Sequence, residues 1–394
     1  MDNEVYIVSA CRTAIGSFQG ALAPLSAPQL GAIVIREAVR RSGVPSDAVD
    51  EVIMGQVVQA ASGQAPARQA AVGAGLPAAV PCLTINKVCG SGLKAVMLAS
   101  AALRCGDADV VVAGGMESMS NTPYALTGAR AGYRLGHGKL VDVMIHDGLW
   151  DSFNDFHMGS AAEYTASKSG IARERQDRFA ADSHRKAVSA MEAGKFKSEI
   201  VAVPVPQRKG DPIPFSVDEG PRKDASLESL SRLRPAFQKD GTVTAGNAPG
   251  LNDGAACTVV ASGRAVSRYG LKPLARVTGY AAAGVEPKEL FYAPVFAVRR
   301  LLEKLKVDIG YFDLIEANEA FSVQALADGD QLGWDWERVN VHGGAVALGH
   351  PIGASGARVL TTLLYALADR RQSRGMATLC LGGGNAVALA VETV

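Results

Sequence analysis

The sequence predicts a duplicated α/β fold of five layers, in the order αβαβα, with a loop domain inserted into its first half. Two observations lead to this prediction. Apolar strand-like runs alternate with helical stretches in both halves of the chain, which is typical of layered α/β domains with a mostly parallel sheet. In addition, one pattern occurs twice: an asparagine, a small-Ser-Gly triplet, an uncharged helix, an apolar strand and a glycine turn.

The first 118 residues contain the alternating pattern. We predict strands over 5–9, 52–57, 82–85 and 110–113, and helices over 28–41, 66–72 and 91–104. The helix over 91–104 carries only Lys94 and Arg104 as charges, so we expect it to be buried on more than one side. Gly106 is expected to end this helix, and Gly114-Gly115 to end the strand that follows.

The composition changes after Met119. From there to about Gly246 the chain carries most of its aromatic and charged residues and one amphipathic helix over 173–193. The α/β pattern then returns, with strands over 256–261, 314–316, 376–381 and 387–391, helices over 295–305 and 356–368, and a helix opened by Asn318. We therefore divide the chain into an N-terminal half (1–118 and 249–270), an inserted loop domain (119–248) and a C-terminal half (271–394).

The repeat predicts how the two halves pack. In the first half it comprises Asn86, Gly90-Ser91-Gly92 and Gly114-Gly115; in the second it comprises Asn340, Ala354-Ser355-Gly356 and Gly382-Gly383-Gly384. Each half offers one nearly uncharged helix, and the simplest packing buries both between two sheets with outer helices on either side. Groups at the N-termini of these two helices would then meet in one site. The alternative is that glycine-rich turns resemble each other by chance.

The composition narrows the possible partners and locations. The 394 residues carry 40 Lys and Arg against 39 Asp and Glu, so no excess of positive charge favours nucleic acid. The six cysteines form no C-x-x-C pair, which favours a reducing compartment. No signal peptide precedes the first predicted strand, and no run of about 18 uninterrupted apolar residues occurs. We expect a cytoplasmic protein without a membrane partner.

Cys89 is a candidate nucleophile. It lies in Val88-Cys89-Gly90-Ser91-Gly92, directly before the helix over 91–104. Unpaired N–H groups and the dipole at a helix N-terminus favour a thiolate. The alternative is a cysteine that is buried as a small apolar side chain.

Three glycine-rich loops of the second half supply partners for Cys89. His350 precedes the helix that corresponds to the one after Cys89, so we expect it to face the thiol and act as its base. Cys380 offers a second thiol for acid or base chemistry, and the turn that begins at Gly382 offers N–H groups for an oxyanion hole. Asn318 can hold a water, although capping the next helix is its simplest explanation.

A zinc site is the competing interpretation of the same side chains. Cys89, Cys380, His350 and perhaps His157 would be its ligands. No pair of them has the short spacing of metal ligands, and glycine turns fit oxyanion binding better than tetrahedral closure. We therefore expect no metal.

Together these motifs resemble those of the thiolase family. The segments 88–92, 318–321, 349–356 and 380–384 occur in the family's order, and Asn247 with the segments 250–256 and 114–119 adds to the match. The resemblance covers essentially the whole chain. It implies the duplicated thiolase fold, an inserted domain that binds coenzyme A, and a homodimer or homotetramer. It implies no cofactor, because coenzyme A is part of the substrates.

The resemblance also implies a reaction, the reversible ping-pong Claisen condensation of two acetyl-CoA molecules, which belongs to fatty acid metabolism. His350 would activate Cys89, which takes an acyl group, while Cys380 would protonate the departing CoA and then remove a proton from the second acetyl-CoA. One oxyanion hole would use His350 and a water held by Asn318. The other would use the backbone N–H groups of Cys89 and Gly382.

The same resemblance implies the residues that contact the substrates: His157, Met158, Leu149, Arg222, Ser229, Leu233, Phe237, Ala245, Pro249, Phe291 and Phe321. His157-Met158 is similar to the short-chain members of the family. Three departures leave the acyl preference open: Pro249 for a common Ser, Phe291-Tyr292-Ala293-Pro294 for Met-Gly-x-Gly-Pro, and Asn385-Ala386 after Gly384. The first departure removes a hydroxyl, and the second is expected to place two large rings near the acyl pocket.

Three alternatives accompany the main prediction of a short-chain condensing enzyme. The first is a degradative member of the family with longer or unusual acyl chains. The second is a decarboxylating enzyme of the ketosynthase type, which would pair the cysteine with two histidines rather than with His350 and Cys380. The third is a non-catalytic protein that binds acyl-CoA or lipid on the same scaffold.

Overall fold

The structure is a computed structural model that describes residues 4–394. The strands are β1 (Val5–Thr13), β2 (Gly16–Ser17), β3 (Glu51–Gly55), β4 (Cys82–Ile85), β5 (Val110–Ser118), β6 (Tyr124–Ala125), β7 (Val141–Asp142), β8 (Trp150–Asp151), β9 (Phe156–His157), β10 (Ile200–Val201), β11 (Val203–Val205), β12 (Ile213–Phe215), β13 (Asn252–Ser262), β14 (Ala275–Gly284), β15 (Leu314–Ala317), β16 (Arg374–Leu381) and β17 (Asn385–Thr393). The helices are α1 (Ala27–Ser42), α2 (Pro66–Gly73), α3 (Ser91–Cys105), α4 (Met158–Ser169), α5 (Arg173–Glu192), α6 (Leu227–Ser231), α7 (Gly263–Tyr269), α8 (Ala293–Leu305), α9 (Ser322–Leu332), α10 (Ala345–Leu348) and α11 (Ser355–Arg370).

The strands of both halves form one hydrogen-bonded sheet. Its order is β15-β16-β17-β14-β1-β13-β5-β3-β4, with β10 paired to β1 and β2 paired to β13. The sequence predicted two separate, mostly parallel sheets, but the centre of this sheet is antiparallel. The two half-sheets join where β1 and β14 pair through only Tyr6–Arg276 and Ile7–Ala275. These two residue pairs join the half-sheets into one hydrogen-bonded sheet. On either side of them, the strands of each half pair mainly with one another.

The predicted five layers are present. Helices α1 and α2 pack on the outer face of the N-terminal half-sheet, and α8 packs on the outer face of the C-terminal one. Helices α3 and α11 lie between the half-sheets and contact each other. By length and composition Val88–Cys105 is a candidate membrane span, but more than half of it is buried in this protein. The uncharged helices are therefore the shared centre of the fold.

Two glycines allow α3 and α11 to approach each other closely. A Cβ on Gly92 would lie 2.7 Å from the backbone nitrogen of Ala357, and a Cβ on Gly356 would lie 2.3 Å from that of Leu93. The two glycines occupy equivalent positions in the internal repeat. Because neither has a side chain, the first turns of the two helices come into contact, and the residues that precede these turns converge.

Three of the differences between the structure and the predicted elements have a clear physical reason. Gly114 and Gly115 do not end β5, which continues to Ser118, because these glycines allow close packing: a Cβ on Gly115 would lie 2.0 Å from the carbonyl oxygen of Gly353. Asn318 does not open the next helix, since α9 begins at Ser322. Strand β14 was not predicted, because its run of alanines resembles a helix more than a strand.

The segment between β5 and β13 is tied to the N-terminal half by buried charges. Arg12 of β1 is fully buried and contacts two carboxylates of that segment. Its guanidinium donates to Asp218 at 2.7 and 2.9 Å and to Glu199 at 2.5 Å. Strand β10 also pairs with β1. The predicted loop domain over 119–248 is therefore anchored on the sheet that carries the N-terminal half.

Candidate active site

One cavity of about 400 Å³ collects residues from both halves and from the inserted segment. All three reactive side chains, Cys89, His350 and Cys380, line this cavity together with Gly382. Eight of the predicted substrate-binding residues line it as well: Leu149, His157, Met158, Phe237, Ala245, Pro249, Phe291 and Phe321. Other lining residues that the sequence did not single out are mostly apolar, among them Met119, Met144, Leu290 and Ile352. The cavity is thus an apolar chamber with a small group of reactive atoms on its wall.

A tight turn presents Cys89 to this cavity. Val88, directly before it, has a positive φ of 46°, an uncommon conformation for a β-branched residue. The Ser91 hydroxyl stabilises the turn by donating to the carbonyl of Val88 at 2.6 Å. A Cβ on Gly90 would lie 2.6 Å from Leu381, so glycine is required for the end of β16 to approach. The turn therefore brings Cys89 next to the loop that follows Cys380.

Burial of the Cys89 thiol opposes the thiolate that its position before a helix favours. Burial raises the pKa of Cys89 to about 12, although the backbone N–H groups of Gly382 and of Cys89 itself act in the opposite direction. Burial also lowers the pKa of His350 to about 3. Loss of water outweighs the helix dipole because the cavity is apolar. Burial thus favours the neutral form of both the thiol and the imidazole.

The loop of His350 is fixed at three points. Its backbone N–H donates to Asn252 Oδ1 at 2.8 Å, and the preceding Gly349 has a φ of 107° that favours glycine. The ring nitrogen Nδ1 lies 2.6 Å from the hydroxyl of Ser355, and Nε2 lies 3.4 Å from Nδ2 of Asn318. Sequence reasoning quoted Asn252 and Ser355 within motifs but gave neither a role. The ring therefore has a defined orientation at the cavity wall.

Glu117 is a buried carboxylate that sequence reasoning quoted within a motif without giving it a role. It accepts backbone hydrogen bonds from Val57 at 2.9 Å, from Val58 at 3.2 Å and from Gly353 at 2.9 Å. Burial raises its pKa to about 8. A lone carboxylate within an otherwise apolar strand was the available signal. Through Gly353, Glu117 connects the N-terminal half to the loop that carries His350.

The second thiol and the glycine turn lie on the C-terminal side of the cavity. Cys380 is buried near the end of β16, and burial together with the proximity of Cys89 raises its pKa well above the usual value. The turn after it reverses through Gly383 and Gly384, with φ values of 75° and 78°. Gly382 lines the cavity beside Cys89, and its backbone N–H lowers the pKa of the Cys89 thiol. Backbone N–H groups on the cavity wall are the kind of donor that an oxyanion hole uses.

Asn318 lies behind His350 and not within the cavity lining. It is buried, and its backbone N–H donates to the carbonyl of Thr378 at 2.9 Å. Its Oδ1 has no partner among the protein groups of residues 4–394. The side chain is therefore placed next to the imidazole, while its predicted role in holding a water stays a prediction.

Three of the predicted coenzyme A contacts lie outside the cavity. Arg222 borders a surface depression with Lys223 and Arg185. Ser229 forms a capping box with Ser226 at the start of α6, and Leu233 packs against a small apolar cluster. Helix capping and core packing account for these two side chains, so the structure adds no support for their contact with coenzyme A.

Only one of the two large rings expected near the acyl group lines the cavity. Phe291 is buried there and meets Phe321 edge to face, with ring centroids 5.4 Å apart. Tyr292 packs behind it, where Lys168 Nζ lies 5.1 Å from its ring centroid. The two side chains are neighbours in a short 3₁₀ helix, where consecutive side chains point about 120° apart, so only one of them faces the cavity. Phe291 and Pro249 are thus the two departures from the family pattern that line the cavity.

The four side chains weighed as zinc ligands, Cys89, His350, Cys380 and His157, all line the cavity. Over residues 4–394, no group of three or more His, Cys, Asp or Glu side chains has an arrangement that could hold a metal ion. The reactive groups instead alternate with backbone N–H groups and aromatic rings. This arrangement can form a covalent intermediate on sulfur and can stabilise an oxyanion.

Comparisons with known proteins agree with this description of the fold. The family models "Thiolase, N-terminal domain" and "Thiolase, C-terminal domain" match residues 5–264 and 271–393. Proteins named acetyl-CoA acetyltransferase from Pseudomonas aeruginosa and Cupriavidus necator are each 58% identical, over 98% and 99% of both chains. A crystal structure of the Bacillus anthracis acetyl-CoA acetyltransferase covers 99% of this chain and 99% of its own, with a TM-score of 0.97 and 44% identity. The expected resemblance and fold are confirmed: this chain is an acyltransferase of the thiolase family.

Proposed function

We propose that this protein is an acetyl-CoA C-acetyltransferase, which joins two acetyl-CoA molecules into acetoacetyl-CoA and CoA and also catalyses the reverse cleavage. The observation that carries the proposal is the convergence of Cys89, His350, Cys380 and Gly382 on one apolar cavity. The curated relatives at 58% identity carry the name of this activity. The chain retains all three reactive side chains, which a protein that only binds acyl-CoA would not need.

The first half-reaction moves an acetyl group to Cys89. His350 Nε2 takes the thiol proton as the sulfur attacks the thioester carbonyl of acetyl-CoA, because both groups are neutral beforehand. The N–H groups of Cys89 and Gly382 stabilise the negative oxygen that forms. The carbon–sulfur bond to CoA then breaks, and the CoA sulfur takes its proton from Cys380. This step leaves an acetylated Cys89, a protonated His350 and a Cys380 thiolate.

The second half-reaction forms the carbon–carbon bond. The Cys380 thiolate removes a proton from the methyl carbon of a second acetyl-CoA, and His350 with a water held by Asn318 stabilises the enolate oxygen. The enolate carbon attacks the acetyl group on Cys89, the bond to Cys89 breaks, and the sulfur takes back the proton from His350. A thioester intermediate suits a reversible reaction, because it keeps the acetyl group as activated as it was on CoA.

A 3-ketoacyl-CoA thiolase for longer chains is the second candidate function. The aromatic rings of Phe237, Phe291 and Phe321 on the cavity wall favour the short-chain activity, because they occupy space that a long acyl chain would need. Thiolysis of acetoacetyl-CoA, compared with that of 3-ketoacyl-CoAs of six and more carbons, separates the two candidates. A preference for the longer substrates would replace the first candidate with the second.

The central test is covalent labelling. Incubation with acetyl-CoA should leave one acetyl group on Cys89, detected by mass spectrometry of the intact chain and its peptides. Cys89→Ala should remain unlabelled, and Cys257→Ala, which changes a buried cysteine far along β13, should label like the parent. Absence of the acetyl group, or its attachment to another residue, would remove the proposal.

We propose a homodimer or homotetramer located in the cytoplasm, acting within fatty acid metabolism with no partner other than CoA and its esters. Strand β4 lies at the edge of the sheet and carries Leu83, which is 43% exposed. The unpaired backbone groups of an edge strand can pair with another chain, which favours a second copy as the partner. Around the insert, Tyr124, Leu126 and Leu135 add exposed apolar area. Light scattering after gel filtration tests the oligomer, and cell fractionation tests the location.

A further inference from the structure

We infer that Ser355 is a positioning residue that keeps the proton of the neutral His350 ring on Nδ1 and thereby leaves the lone pair of Nε2 free to take the Cys89 proton. The inference rests on the proposed function for what that lone pair does. The hydrogen bonds that carry it belong to the resting protein. His350 Nδ1 and Ser355 Oγ lie 2.6 Å apart, and both residues are buried.

The proton balance at Ser355 fixes the direction of this hydrogen bond. The hydroxyl has one proton, and its oxygen lies 2.9 Å from the carbonyl oxygen of Pro351, which can only accept. The hydroxyl therefore donates to Pro351, and its lone pair faces His350 Nδ1. A hydrogen bond across 2.6 Å then requires the proton on Nδ1. A neutral imidazole carries only one ring proton, so Nε2 has a free lone pair.

The other side of the ring is compatible with the same tautomer. Nε2 of His350 lies 3.4 Å from Nδ2 of Asn318, which is longer than an ordinary hydrogen bond, and an amide NH₂ group can only donate. The short hydrogen bond at Nδ1 is therefore what selects the imidazole form that can act as a base at Nε2.

The internal repeat gives Ser355 a counterpart at the other catalytic residue. Ser355 and Ser91 are the first residues of α11 and α3. The Ser91 hydroxyl donates to the carbonyl of Val88, just before Cys89, as the Ser355 hydroxyl donates to that of Pro351, just after His350. Each serine therefore stabilises the turn that precedes its helix. In the second half the lone pair of the same hydroxyl also orients the base.

Ser355→Ala removes the acceptor for the Nδ1 proton in a buried place where water does not replace it. The tautomer with the proton on Nε2 then competes, and it cannot accept the thiol proton. Loss of an outer orienting partner typically lowers activity by about 10- to 100-fold. We expect that loss in the single-turnover rate of Cys89 acetylation and in kcat, with a change in KM below about threefold because Ser355 does not line the cavity.

A matched control separates this effect from the loss of a buried helical hydroxyl. Ser100 of α3 is also buried, and its hydroxyl donates to the carbonyl of Val96 at 2.8 Å, four residues earlier, as in Ser355. Ser100→Ala should acetylate at the parent rate. Ser355→Thr retains the hydroxyl and should recover most of the lost rate. Thermal unfolding of all variants shows how much folded protein each assay contains.

Two results would overturn the inference. One is a folded Ser355→Ala variant that acetylates as fast as the parent and as Ser100→Ala. The other needs no variant: ¹⁵N spectra of the parent with labelled histidine, with His350→Asn to assign the signal, should report a protonated Nδ1 and an unprotonated Nε2, and the reverse assignment refutes the inference. These spectra contain no acetyl-CoA. They therefore remain decisive if labelling of Cys89 fails and the proposed function is lost.

Discussion

Replacing Gly356 by alanine should force helices α3 and α11 apart and slow the reaction. The added Cβ would lie 2.3 Å from the backbone nitrogen of Leu93, whereas ordinary contact begins at 3.4 Å. Backbone atoms cannot rotate away as a side chain can, so the helices must separate by about 1 Å to restore van der Waals contact. The clash therefore displaces α3, which follows Cys89, relative to α11, which follows His350.

The cost follows from that displacement. Overpacking of a well-packed core costs about 1–3 kcal/mol, and the higher helix propensity of alanine offsets at most about 1 kcal/mol of it. Cys89 directly precedes α3, and His350 precedes α11. A misplacement of about 1 Å between reacting groups lowers the rate by about 100-fold. We expect a lower unfolding midpoint together with a large loss in the rate of Cys89 acetylation.

Thermal unfolding and single-turnover acetylation, measured on the same preparations, test this expectation. Gly284→Ala is the control, because a Cβ there comes no closer than 3.9 Å to any neighbour and makes only ordinary contact. Gly92→Ala, with its 2.7 Å approach to Ala357, should behave like Gly356→Ala. If Gly356→Ala unfolds and reacts like the parent, the crossing of the helices does not set the geometry of the site.

Three further predictions concern charge, pH and substrate choice. Arg12→Ala leaves two buried carboxylates without their partner and should lower stability by about 3–5 kcal/mol. Arg40→Ala removes an exposed side chain from its ion pair with Glu37 and should unfold at nearly the same denaturant concentration as the parent. Burial lowers the pKa of His350 to about 3, whereas the same ring in the unfolded chain binds a proton below about pH 6.5, so stability falls as the pH drops from 6.5 towards 3. In His350→Asn the free energy of unfolding should fall less steeply, by about 1.4 kcal/mol per pH unit. Equal slopes for both proteins would contradict the lowered pKa. Phe291→Leu should raise the thiolysis of longer 3-ketoacyl-CoAs about tenfold relative to acetoacetyl-CoA, and an unchanged ratio would remove Phe291 as the limit of the pocket.

Sequence reasoning predicted the centre of the fold because the signal there is strong. Helices α3 and α11 are almost free of charge, and the repeat placed Cys89 and His350 before equivalent helices, so their meeting in one cavity could be anticipated. Gly114 and Gly115 were predicted to end β5, because the sequence does not distinguish a glycine in a turn from a glycine that lets another backbone segment pack closely against a strand. Strand β14 was missed because its alanines and glycines do not show the alternation of apolar and polar residues that marks a strand.

Other features depend on tertiary contacts that no local pattern contains. The raised pKa of the Cys89 thiol results from the apolar walls of the cavity, which come from distant segments such as those of Leu149 and Phe321. The role of Glu117 depends on three backbone N–H groups that the fold brings to it. Tyr292 lies outside the cavity because consecutive side chains of the 3₁₀ helix that it shares with Phe291 point in different directions. The pKa values of buried groups and the directions of individual side chains could therefore not be predicted from the sequence.

The position of β13 between β1 and β5 has a consequence for synthesis on the ribosome. The N-terminal half-sheet cannot close until Ser262, the last residue of β13, has been made, although the inserted segment has by then been translated. The remaining chain to Val394 follows on the order of ten seconds later at usual translation rates. During that interval the half that carries Cys89 can assemble while His350 does not yet exist. The nascent protein therefore has its sulfur in place before it has the base that makes the sulfur reactive.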